Sequence, residues 1–119
     1  MAEPAWMRAA ERAARTFHAR TGRKPGATHS VYVILLHNVK RRDPWGLYVG
    51  QTSRDPDLRF DQHKSGYRAS SAARRFGIRL LPALVAHLNP VSREESLELE
   101  ATLADAFRAA GVTWVEGGH

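Results

Sequence analysis

The sequence predicts a small domain of mixed α and β structure, an α/β (α+β) chain with an N-terminal helical extension. Three observations carry this. Residues 30–37, Ser-Val-Tyr-Val-Ile-Leu-Leu-His, form a continuous run rich in β-branched and aromatic residues. A second run at 45–52 follows after a brief polar loop, as in a hairpin. Two later stretches carry paired helix signals: a start at Asp55-Pro56 with a stop at Gly66, and a start at Ser92 with Glu95 three residues on and a stop at Gly111. With 119 residues, 43% hydrophobic and 25% charged, the chain amounts to one domain with one core.

Taken in order, Trp6, Ala10, Ala13 and Phe17 recur at helical spacing within residues 3–21, with Arg8, Arg12 and Arg15 elsewhere on the wheel and Gly22 placed as a cap. Residues 22–29 hold two glycines and a proline and read as a linker. The expected division is therefore a basic amphipathic helix with its linker at 1–29 and a globular domain at 30–119. The unbroken apolar character of 30–37 suits a strand buried on both faces. If the polar loop to the second strand holds an odd number of residues, even positions pair with even, and Tyr32 and Tyr48 share one face.

The helix opened by Asp55 carries Arg59 and His63 at i and i+4, so both point the same way. Residues 70–76 read as a second short helix with Arg74 and Arg75. The apolar run at 78–88 is interrupted by Pro82, which confines that strand to an edge or to its first residues. In the last helix Leu99, Leu103, Ala104, Ala106, Phe107 and Ala110 fall in one half of the wheel, and Glu94, Glu95, Glu98 and Asp105 in the other. Glu100 alone among the acids lies in the apolar half. A carboxylate turned toward a core costs several kcal/mol unless paired, hydrogen-bonded or metal-bound, which makes Glu100 a candidate site residue.

Composition removes several classes of function. Cysteine is absent, so disulfides, thiolate metal sites and cysteine nucleophiles are excluded. The longest apolar runs, such as 31–36, fall well short of the roughly 20 residues that span a bilayer, and the N-terminal residues lack a signal-peptide pattern. The expectation is a cytoplasmic protein with no membrane partner. The net charge is +6, with three lysines among 18 basic residues and arginine supplying the rest. Arginine's planar fork suits phosphate. Residues 54–79 concentrate Arg54, Arg59, Lys64, Arg68, Arg74, Arg75 and Arg79 against three aspartates, whereas 93–119 hold two arginines against six acids. That segregation predicts one basic face and a nucleic-acid partner.

Two strand tyrosines, an Arg and a His on one helix face and an inward carboxylate are suitable parts for metal-assisted phosphodiester cleavage. One carboxylate can hold a hard divalent cation, an arginine stabilises charge on the phosphoryl group, and a base activates water. Taken separately, each has a plainer reading: sheet packing for the tyrosines, a solvated face for Arg59 and His63, and an inward salt bridge for Glu100.

In combination, Val31-Tyr32-Val33, Gly46-Leu-Tyr-Val-Gly-Gln-Thr, Leu58-Arg59-Phe60-Asp61-Gln62-His63 and Leu97-Glu98-Leu99-Glu100 resemble the GIY-YIG nuclease family over residues 31 to about 115. That resemblance implies a three-stranded antiparallel sheet flanked by helices, and hydrolysis of DNA with one Mg2+ or Mn2+ ion to leave 5′-phosphate and 3′-hydroxyl ends. It implies Tyr32 as general base, Tyr48 as the second motif tyrosine, Arg59 as the phosphate-stabilising arginine, Glu100 as metal ligand and His63 as an aid to Tyr32 or the phosphate. Gly50 would let a phosphate approach the backbone. Lys40, Arg41 and Arg42 in the loop, with Lys64, Arg68, Arg74 and Arg75, are the candidate nucleic-acid contacts. Val31 stands where the first motif has glycine, and the asparagine many members carry beyond the glutamate is missing, with Thr113 the candidate to replace it. The partner is expected to be DNA, with structured RNA left open, and specificity to come from a homodimer or a DNA-targeting partner. A catalytically inactive nucleic-acid-binding module on the same scaffold is the alternative.

Overall fold

The structure, a computed structural model, describes residues 3–20 and 26–118. Gly22, the linker residues up to 25 and His119 lie outside the described residues. The order is α1 (Met7–Arg15), β1 (Ser30–His37), β2 (Trp45–Thr52), α2 (Pro56–Ser65), α3 (Ser71–Phe76), β3 (Gly77–Leu80), a single 3-10 turn (Pro82–Leu84), α4 (Arg93–Ala109) and β4 (Val115–Gly117). The domain is of mixed α+β architecture.

The hairpin pairs with Ile34 opposite Tyr48 and Tyr32 opposite Gly50. Even positions thus meet even ones, and the two tyrosines stand diagonally on one face. β1 is buried along both faces, as its unbroken apolar run requires. β3 is an edge strand that ends before Pro82. Beyond it, the Asn89 side chain takes over the pairing, donating to Val31 O at 2.7 Å and accepting from Val31 N at 2.9 Å.

The sheet corrects the three-stranded antiparallel expectation. It has four strands in the order β3-β1-β2-β4, and β4 runs parallel to β2. Gly111, at φ +105, turns the chain off α4 and back alongside β2, where Leu47 N donates to Trp114 O at 3.0 Å. Only three residues pair there, too few to leave an alternating pattern in the sequence.

The sheet separates two layers. Odd positions of β1 and β2 (Val31, Val33, Leu35, Leu47, Val49) pack with Leu99, Leu103 and Phe107 of α4 and with Trp6, Met7, Ala10 and Ala14 of α1. Even positions (Tyr32, Ile34, Leu36, Tyr48) pack with Phe60 of α2 and with Ala72, Ala73 and Phe76 of α3. Helix α1 is therefore built into the main core, with Met7 and Ala14 buried where the periodicity had pointed to Ala13 and Phe17. It ends at Arg15, earlier than residue 21. Its arginines lie on the α4 side of the sheet, across from the tyrosines.

Caps follow the sequence. Asp55 accepts from Asp57 N at 2.8 Å, Gly66 closes α2 in the left-handed conformation, and Ser92 Oγ accepts from Glu95 N at 3.1 Å. One acid departs from its expected place: Glu95 is 1% exposed and accepts from Arg20 N at 2.5 Å. It lies one turn before Leu99 on the buried stripe, and its partner is a backbone amide 75 residues upstream that no helical wheel contains.

Candidate functional site

The even face of the hairpin and the inner face of α2 bring three of the five candidate catalytic residues, Tyr32, Tyr48 and His63, into contact. Tyr32 Oη and His63 Nε2 are 2.8 Å apart. The Tyr32 and Tyr48 rings lie 6.2 Å apart, and His63 meets Tyr48 edge-on at 5.3 Å.

Ser70 is the residue that sequence reasoning missed. It caps α3, and its backbone N–H donates to His63 Nδ1 at 3.2 Å. With Nδ1 an acceptor, the proton of the neutral ring is assigned to Nε2, and His63 donates to Tyr32. A serine opening a short helix was visible in the sequence, but the use of its amide was not.

His63 is 1% exposed, and its burial, with the Arg59 guanidinium adding to it, pushes the ring down to about 4 from an ordinary 6.5. The ring is thus neutral in the folded protein, while in the unfolded chain it takes a proton as pH falls through 6.5. Stability present above that pH is lost as the pH drops toward about 4. Denaturant titrations down this range should show the wild type losing on the order of 2–3 kcal/mol more than His63→Gln. Equal pH slopes in the two proteins would count against a neutral buried imidazole.

Both tyrosines titrate above the ordinary phenol range. For Tyr32 the causes are burial first and then Tyr48, opposed by Arg59. For Tyr48 they are burial and then the Glu100 carboxylate, opposed by the neighbouring Tyr32 and by Arg59. Arg59 and Glu100 thus act on the tyrosines from opposite sides of the charge scale. Arg59 is itself held by its own loop: Nη1 donates to Gln62 Oε1 at 3.3 Å and Tyr67 O at 3.1 Å, and Nη2 to Arg68 O at 2.8 Å.

Glu100 is 8% exposed on α4, as the wheel predicted. Its Oε1 accepts from Gly118 N at 3.2 Å. The strand end passes this close because Gly117 and Gly118 have φ of +80 and +82, and a Cβ at Gly118 would sit 2.5 Å from that of Ala104. The described residues contain no cluster of three or more His, Asp and Glu that could hold a metal. A zinc centre, which needs three or four protein ligands, does not fit. A hard cation such as Mg2+, bound through one carboxylate with water and phosphate oxygens completing its shell, does fit Glu100.

Gly50 serves a purpose other than the one expected. The space above it is filled by Tyr32: a Cβ there would lie 2.5 Å from the Tyr32 Cζ and Oη. Gly50→Ala should therefore push the phenol off His63 and cost about 1–3 kcal/mol of stability, with loss of any activity that uses Tyr32. Thermal unfolding and the near-ultraviolet tyrosine signal would show it.

The basic candidates divide. Lys40, Arg41 and Arg42 are exposed in the β1–β2 loop, with the Arg41 guanidinium 4.4 Å from the Trp114 ring centroid. Arg68, Arg74 and Arg75 are exposed on the α2–α3 side. Lys64 acts as a brace, its Nζ donating to Arg74 O at 2.8 Å and Gly77 O at 3.0 Å. Thr113 does not reach the tyrosines, because its hydroxyl donates to Asp43 Oδ2 at 2.7 Å beside the β1–β2 loop. No family model, curated protein or solved structure matches this chain. Among the described residues no helix is long and apolar enough to cross a membrane.

Proposed function

We propose that the protein is a GIY-YIG-type endonuclease that hydrolyses DNA phosphodiester bonds with a single Mg2+ or Mn2+ ion. The observation that carries this reading is the Tyr32–His63 hydrogen bond, packed against Tyr48 and flanked by Arg59, on a face whose tyrosines feel the Glu100 charge. Helices α2 and α3, which carry Arg59, Lys64, Arg74 and Arg75, lie on that same face, while α4 packs on the other and Glu100 is the one of its acids felt by the tyrosines. Phosphate would therefore meet cations where the tyrosines are.

In this reading Tyr32, as the phenolate left once its own proton has gone to solvent, takes a proton from the attacking water, and Tyr48 orders the site. His63, donating through Nε2, steadies negative charge on Tyr32 and does not take its proton. Arg59 offers its remaining N–H groups to the phosphoryl oxygens, where fixed donors act most strongly as charge develops. Glu100 would hold the cation, which when bound polarises the phosphoryl group and stabilises the leaving oxyanion.

The test is supercoiled plasmid incubated with the protein, with and without Mg2+ or Mn2+, beside Glu100→Gln. Metal-dependent nicking by the wild type and none by the variant is expected. If neither protein cuts while both retard DNA on a gel, the scaffold is an inactive binding module. If neither binds nor cuts, the nucleic-acid reading itself is wrong.

A further inference from the structure

A groove of about 260 Å³ opens beside Arg59, lined by Thr52, Arg54, Arg59, Gln62, Tyr67 and Arg68 among others. Three guanidinium groups, a hydroxyl and a side-chain amide around one depression suit a phosphodiester backbone. Its rim carries the single exposed aromatic side chain among the described residues. Tyr67 is 51% exposed, whereas Tyr32 is buried and Tyr48 is partly covered.

The position of Tyr67 is fixed by the backbone around it. Gly66, at φ +92, lets Tyr67 N donate to Gln62 O at 2.9 Å, and Arg68 takes φ +45. That turn aims the Tyr67 and Arg68 carbonyls at the Arg59 guanidinium. The exposed ring is thus tied through two hydrogen bonds to the arginine assigned to the scissile phosphate. The Arg68 guanidinium sits 5.7 Å from the ring centroid, adding positive charge to the same spot.

We propose that Tyr67 is a base-stacking residue, and that this groove takes the nucleotide next to the cleavage position when its base is unpaired. The inference rests on the nuclease reading and names its substrate class. A base inside a duplex has both faces covered by its neighbours, so only a splayed or single-stranded base can lie on a tyrosine at the rim of a phosphate groove. Protein of this design favours DNA with a flap, tail or gap over an intact duplex.

Fluorescence anisotropy without divalent metal separates this from catalysis, using a blunt duplex and the same duplex with a short single-stranded tail. The tail should tighten binding about tenfold for the wild type and for Tyr67→Phe. The gain should vanish in Tyr67→Ala. Equal wild-type affinity for both DNAs, or a gain that survives in Tyr67→Ala, overturns the stacking subsite. Metal-dependent plasmid cleavage together with either of those results leaves the nuclease reading standing and removes only this inference. Failure to bind either DNA or to cut plasmid removes both.

Discussion

On the proposed nuclease reading, Tyr32→Phe is expected to slow metal-dependent cleavage by roughly 100–10,000-fold, the range that a positioned acid or base contributes. DNA affinity should stay within about twofold, because phosphate contacts dominate it. The pH profile makes the test specific. Burial holds the Tyr32 phenol above its ordinary range, so the phenolate is scarce near neutrality and its fraction grows about tenfold per pH unit. The wild-type rate should climb with that slope from about pH 7 to 9, and the variant should lose it. A variant that keeps the same slope would show that another group provides the base. The substitution also leaves His63 Nε2–H without its acceptor, at a cost of about 1–3 kcal/mol, so rates should be compared where both proteins are folded.

Phe107→Ala should destabilise the protein by about 3–5 kcal/mol. Phe107 is fully buried on α4, in the cluster that joins the helix to the odd face of the hairpin and to α1. A domain of this size is stable by about 5–15 kcal/mol, so the loss is a large fraction of the total. Urea unfolding would measure it, and a change below about 1 kcal/mol would mean that the core collapses around the gap. Glu100 lies seven residues earlier on the same helix, so on the nuclease reading cleavage by Phe107→Ala should weaken at temperatures where Tyr32→Phe is still folded.

Local signals in the sequence carried much of the fold. Asp55, Gly66 and Ser92 fixed helix ends because a cap is a contact within a few residues. The condition that would put Tyr32 and Tyr48 on one side, an odd-length hairpin loop, is met by the register of β1 on β2. Glu100 stood out because a helix repeats its faces and one acid broke the pattern. What could not be read depends on distant backbone: the parallel pairing of β4, the burial of Glu95 against Arg20 N, and the Ser70 amide on His63. Gly50 was singled out correctly as a place of close approach, but what approaches is a phenol from the neighbouring strand.

Arg59 commits three N–H groups to acceptors of its own chain. An arginine carries five, so donors are left over for an incoming anion. A free arginine would surrender considerable rotamer freedom on gripping a phosphate. Here that loss is incurred during folding, and the guanidinium would meet an anion already oriented. Loosening the loop at Tyr67 and Arg68 should therefore weaken anion capture without removing a single charge.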